Sequence, residues 1–191
     1  MIYFISDSHF EHENVIKYSN RPFKDIYEMR EQMIQRWNSV VQPDDIVYHL
    51  GDFILGSKEQ AKDILDRLNG NKILIKGNHD NHSDHWYIDA GFLEVHNSLL
   101  LNYNNQSILL THYPYRIPEQ YKSKYNIHLY GHMHEMGDEL SVYPTFAQNG
   151  ACLSVERIDY TPLSIDKVIE SCKNTVGYFD ETIPSFNKLM H

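Results

Sequence analysis

Five short apolar runs of this chain each hand over to side chains of one chemical kind. Ile2–Ile5 precedes Asp7 and His9, residues 46–50 precede Asp52, and 73–75 precede Asn78, His79 and Asp80. Residues 108–110 lead to His112, and 127–130 lead to His132 and His134. Runs of this length, rich in Ile, Val and Tyr, read as buried strands, and in α/β sheets the ligand crevice lies beyond the carboxyl ends of the strands. One Asp or His at a strand end is commonplace. Five such endings converging on Asp, Asn and His look like a dinuclear metal site.

The spacing supports this chemistry. Residues two apart on a strand project to the same side, so Asp7 with His9, and His132 with His134, can each offer two side chains to one ion as the strand ends. Gly51, Gly77 and Gly131 come just before the key residues, where the backbone must approach closely.

Between the runs the pattern is helical. Residues 11–18 read as a short helix interrupted by Asn20, Arg21 and Pro22. Asp25 and Glu28 resemble a capping box ahead of Ile26, Met29, Met33, Trp37, Val40 and Val41 at helical spacing. Ser57 and Gln60 form a second box before Ala61, Ile64, Leu65 and Leu68, with Asn69 and Gly70 as the stop. Strand, helix, strand is the βαβ pattern. From Phe92 onward, strands are expected over 93–96, 99–103 and 106–111, with a turn at Asn104 and Asn105. Residues 116–126 read as a loop or short helix beside the site. Late strands are expected over 146–151 and 154–158, then a turn at 160–163 and a helix capped by Ser164 that carries Ile165, Val168, Ile169 and Cys172.

The length of 191 residues suits one domain, 1–191, with a C-terminal extension from about 174 to 191 that shows no strong pattern. The net charge of −9 repels polyanions and no Lys/Arg cluster offsets it, so a nucleic-acid polymer is disfavoured as partner. Cys152 and Cys172 are too few for a disulfide framework. With no signal core and no run long enough to span a bilayer, the expected location is cytoplasmic, away from membranes. The pattern leaves the oligomeric state open.

The ordered set Asp7-Ser-His9, Gly51-Asp52, Gly77-Asn-His-Asp80, His112 and Gly131-His-Met-His134 resembles the calcineurin-like metallophosphoesterase superfamily. The resemblance implies a four-layer αββα sandwich with two central mixed sheets. It implies one ion on Asp7, His9, Asp52 and His134, and a second on Asp52, Asn78, His112 and His132, with Asp52 shared. Such N/O ligation suits Mn, Fe, Zn or similar divalent ions. The implied reaction is hydrolysis of a phosphate ester by a hydroxide held between the ions. His79 takes the place of the family's catalytic histidine, stabilising or protonating the leaving oxygen, and Asp80 is expected to orient it.

The stretch from Asp7 to Phe23 is similar to small bacterial and phage members in which a further His-x-Asn and an Asn-Arg-Pro-Phe follow the first motif, here His12, Asn14 and 20–23. On that basis His12 and Arg21 are expected to bind substrate, Arg21 as a bidentate phosphate clamp, and Asn78 of the third motif is expected to bind it with them. For Arg21 and Arg116 a surface salt bridge is an equal reading. A phosphodiester of a nucleotide or other small molecule is the expected substrate, a phosphomonoester the alternative, and a non-catalytic scaffold or nucleotide-binding protein the alternative of another class. Of the 12 histidines, His49, His96 and His128 fall within strand patterns and read as core or face residues, while His82 and His85 fall in an expected polar loop. Tyr113 and Tyr115 read as packing at the crevice rim, with stacking on a nucleobase as the other option.

Overall fold

The structure is a computed structural model that describes residues 1–115, 126–134, 146–147 and 150–174. In chain order the elements are β1 (Ile2–Ile5), α1 (Glu13–Tyr18), α2 (Ile26–Val40), β2 (Ile46–His49), α3 (Lys58–Arg67), β3 (Asn71–Ile75), α4 (Asp84–Ala90) and β4 (Glu94–His96). They continue with β5 (Leu99–Tyr103), β6 (Gln106–Leu110), β7 (Ile127–Tyr130), β8 (Phe146–Ala147), β9 (Gly150–Cys152), a 3-10 turn (Val155–Arg157), β10 (Leu163–Ser164) and α5 (Ile165–Asn174).

Two mixed five-stranded sheets stand at the centre, with helices alongside. The first has the order β10-β1-β2-β3-β4, and the second β5-β6-β7-β9-β8. In the first, β1 to β4 run parallel and β10 pairs antiparallel with β1. The register Ile5↔His49 and His49↔Leu74 brings the carboxyl ends of β1, β2 and β3 level, so the residues that follow them emerge along one edge. In the second, β6, β7 and β9 are parallel, and β5 and β8 close the two sides antiparallel. A single bridge between Ser6 and Ser154 joins the end of β1 to the segment after β9. The core runs through both sheets, with Phe4, Ile5, Leu74, Ile75, Leu110 and Leu129 at most 1% exposed.

The local signals explain the elements. Asp25 accepts from Glu28 N at 2.8 Å, but Glu28 reaches back to Lys24 N rather than to the cap residue, so only half of the expected box forms. The box at Ser57 and Gln60 is complete, and α3 buries Ala61, Ile64 and Leu65 before Gly70 turns at φ +84°. The hairpin turn uses Asn104 and Asn105 at φ 44° and 62°, a left-handed pair that matches strand twist. Among the described residues no helix is long and apolar enough to cross a membrane.

Three local expectations need correction. The loop expected around His82 and His85 contains α4, capped by Ser83 Oγ accepting from Trp86 N and ended by Gly91 at φ 130°; its short length buries only Tyr87 and Ala90, too few for a periodic signal. The strand expected over 146–151 is two short antiparallel strands, β8 and β9. The strand expected over 154–158 is the bridge at Ser154 followed by the 3-10 turn. The readings made of Arg116 and its loop, and of the extension after Asn174, concern residues 116–125 and 175–191, which lie outside the described residues.

Candidate metal centre

The loop after β1 is laid along the loop after β2. Asp7 N donates to Gly51 O, His9 N to Asp52 O and Phe10 N to Phe53 O, each at 2.9 Å. Within these loops the backbone is left-handed at Asp7 (φ 58°), His9 (φ 48°) and Asp52 (φ 57°), and again beyond β7 at His132 (φ 68°) and His134 (φ 39°). The residues at spacing two therefore lie in left-handed turns, not on a strand as the periodicity suggested, and only Asp7 and His9 serve one group; His132 and His134 fall in different groups, which corrects the expectation that they share an ion. Non-glycine residues avoid this conformation at a cost of roughly 1–3 kcal/mol each, and it persists where surrounding contacts over-determine it.

Two groups result. Asp7, His9 and His134 offer ligand atoms within 4.8 Å of one another, and so do Asp52, His112 and His132. Asp52 Oδ2 lies 3.5 Å from His9 Nε2 and 3.5 Å from His112 Nε2, and so stands between the groups. Asn78 Oδ1 is 3.0 Å from His112 Nε2, and His134 Nε2 is 3.5 Å from Asp7 Oδ1. All seven residues expected as ligands are brought together.

The donors suit divalent cations. His112 Nδ1 faces the Leu50 carbonyl at 2.8 Å and must donate to it, which in a neutral imidazole leaves the Nε2 lone pair aimed at the oxygens of Asn78 and Asp52. His9 Nε2 is buried without a hydrogen-bond partner, and burial holds this imidazole far below its ordinary pKa, with neighbouring His134 and Arg21 adding to the effect. Burial also pushes Asp52 up to about 6; His112 opposes this and the Asp7 charge reinforces it. Lone pairs that face one another across such a space are costly unless a proton or a metal cation lies between them, and the N and O donors here, without thiolate, match Mn, Fe or Zn.

Further residues hold these in place. A Cβ on Gly131 would overlap Ser6 Oγ and the Asp7 carboxylate, and one on Gly77 would overlap Asp52, so both positions exclude a side chain for reasons of space. Asp80 is 2% exposed and accepts from Asp52 N (2.7 Å), Gly77 N (2.8 Å) and Phe53 N (3.2 Å). It clamps the backbone of the Asp52 loop, which corrects the expectation that it orients the His79 ring. Arg21 is a second correction. Its side chain is fully buried and its N–H groups go to Ser8 O, Asp7 O, Met29 Sδ and Glu156 Oε1, so it offers no fork to a phosphate.

Sequence reasoning did not single out Glu156. Its Oε1 lies 3.0 Å from His134 Nδ1, and Ser154 Oγ donates to Asp7 Oδ2 at 2.9 Å. Burial alone would push His134 down, but Glu156 and Asp7 outweigh it and hold its pKa above the ordinary value. The only available signal was an acid among the apolar residues Val155 and Ile158.

His79 is exposed, with its backbone N–H on Asp52 Oδ1 at 2.8 Å and its ring 5.2 Å from that of His9. His12 lies beside both, 5.4 Å from His9 and 6.3 Å from His79, with its buried Nδ1 unpartnered. Tyr113, 38% exposed, packs on His132 at 4.6 Å and on His112 at 5.1 Å. His49 and His128 are buried on Ser8 and Thr111 hydroxyls, and His96 pairs with Glu94. His82 stacks on Trp86 and His85 faces Asp89, and neither joins the metal groups.

Two mixed sheets with a cluster of nitrogen and oxygen donors at their strand ends define an α/β metal-site protein. The calcineurin-like phosphoesterase superfamily domain matches residues 1–154, and the chain belongs to that superfamily. It is similar to the uncharacterized protein MJ1445 of Methanocaldococcus jannaschii, with 36% identity over 176 residues, 88% of this chain and 89% of that one. Among solved structures it is similar to the protein of unknown function AQ665 from Aquifex aeolicus, with TM-score 0.70 and 27% identity over 89% of this chain and 98% of that chain.

Proposed function

We propose that the chain is a dinuclear metal-dependent phosphoesterase acting on a small phosphodiester, with a nucleotide among the candidate substrates. Asp7, His9, Asp52 and His134 would hold one ion, and Asp52, Asn78, His112 and His132 the other. The observation that carries this reading is Asp52 Oδ2, equidistant at 3.5 Å from a histidine of each group. Divalent ions held there would supply positive charge to the phosphoryl oxygens and lower the pKa of a bound water.

The chain's own residues do the rest. His79 stands at the mouth, fixed through its backbone rather than its ring, and donates a proton to the leaving oxygen. His12 completes a triangle of imidazoles with His9 and His79 and contacts the same side of the substrate. Among the described residues Asn78, His79 and Tyr113 are exposed at the crevice, which supports a phosphorus bearing two substituents over a monoester. The net charge of −9 favours small substrates over nucleic-acid polymers. Free, buried Cys152 and Cys172 support a reducing, cytoplasmic setting.

The test is hydrolysis of bis-p-nitrophenyl phosphate beside p-nitrophenyl phosphate by chelator-stripped protein restored with Mn, with Asp52→Asn as the blank. Metal-dependent diester cleavage that the blank lacks is the expected result. Monoester cleavage alone would replace the diesterase reading. Absence of both activities, together with no metal uptake, would leave a non-catalytic binding protein.

A further inference from the structure

The superfamily match ends at residue 154, yet the strongest support of one metal group lies just past it. Glu156 sits in the 3-10 turn Val155–Arg157, and its side chain is fully buried. Its Oε1 takes three contacts: His134 Nδ1 at 3.0 Å, Arg21 Nε at 2.9 Å and Arg21 Nη2 at 2.8 Å. The same guanidinium donates to the carbonyls of Asp7 (2.7 Å) and Ser8 (2.8 Å), within the loop that carries Asp7 and His9. Arg157 Nε donates to the His134 carbonyl, so the turn grips both the ring and the backbone of this ligand.

We infer that Glu156 is a positioning residue that fixes His134 as a metal ligand, with Arg21 as its buried counter-ion, and that this support serves only the ion held by Asp7, His9 and His134. The inference rests on the metal-centre reading above. A carboxylate acceptor on Nδ1 fixes that hydrogen, which turns the Nε2 lone pair outward; here Nε2 points towards Asp7 Oδ1, 3.5 Å away. A buried Glu and a buried Arg are each costly alone and tolerable as a pair. The pair accordingly has a role that Arg21 as a phosphate clamp would not explain: it ties the first ligand loop, the last ligand and the chain beyond the family match into one unit. The second group is held differently. His112 is oriented by the neutral Leu50 carbonyl, and the Asp52 loop by Asp80.

Titration calorimetry of chelator-stripped protein with Mn tests this. Wild type is expected to take up two equivalents. In Glu156→Gln, which keeps the volume and an acceptor for Arg21, one equivalent weakens by roughly 10- to 100-fold and the other is retained. Glu156→Asp, which keeps the charge but withdraws it from the ring, gives the same split should the Gln variant fail to fold. In a His134→Asn background the further change Glu156→Gln weakens binding less than it does in wild type, because the part of its effect carried by that ring is already gone. Equal weakening of both equivalents, no weakening, or additive losses in the double variant would overturn the assignment. A wild type that binds no Mn would overturn the metal-centre reading itself, and this inference with it.

Discussion

Replacing Asp80 by Asn separates two accounts of this residue. One carboxylate oxygen receives Asp52 N and Gly77 N at 2.7 and 2.8 Å, and the other receives Phe53 N at 3.2 Å. An amide keeps a single acceptor oxygen. With that oxygen on Asp52 and Gly77, the NH2 group faces the Phe53 N–H, donor against donor. A lost hydrogen bond to a charged group costs about 1.5–3 kcal/mol, and the two retained bonds lose their charge assistance. Burial pushes the Asp80 carboxyl up, so removing a buried charge offsets part of this. The expected net loss is about 2–3 kcal/mol, which lowers the melting temperature of a chain this size by about 4–12 °C. Because the clamp holds Asp52 itself, turnover on the diester falls roughly 10²-fold, the scale of a small misplacement. Thermal melts of the metal-free protein and kcat on bis-p-nitrophenyl phosphate measure both. A variant that melts within 1 °C of wild type and loses only turnover, with a shifted pH profile, would refute the clamp and return Asp80 to a role beside His79.

Three further outcomes are expected. His79→Ala retains both equivalents of metal, since its contact to Asp52 Oδ1 is made by the backbone N–H, and loses about 10²–10⁴-fold in turnover; loss of metal would count against it. Gly131→Ala drives a methyl group into Ser6 and Asp7 and costs about 1–3 kcal/mol of stability together with metal affinity, measured by urea unfolding and by Mn titration. Burial lowers His128 from 6.5 to about 3, so the folded state holds it neutral while the unfolded chain takes up a proton below 6.5; its stabilisation is complete above 6.5 and is lost as pH falls towards 3. Between pH 8 and pH 5 this amounts to about 2 kcal/mol, and unfolding curves of His128→Gln at the two pH values should show a loss smaller by that amount.

What could be read from the residues depended on how local the signal was. The capping box at Ser57 and the Asn104-Asn105 turn are written in neighbouring positions and stand where expected, and the motif residues, equally local, come together as two groups of donors. Arg21 shows the limit: a charge beside a motif reads as a ligand clamp, and only the fold reveals that Glu156, 135 positions away, absorbs it. Glu156 carries no motif of its own, because its meaning comes from the Ser6↔Ser154 bridge that brings the turn to His134. The helix α4 was obscured for another reason, since a seven-residue element with two buried side chains has no period to detect.

The division of ligands between the two sheets has a practical consequence. Asp7, His9 and Asp52 follow strands of the first sheet, whereas His112, His132 and His134 follow strands of the second, and each metal group draws on both. A chain cut between β4 and β5, after Asn97, would therefore yield two fragments with neither group complete. Metal uptake by the mixed fragments, and with it the hydrolysis proposed above, would report their reassembly against no background from either alone.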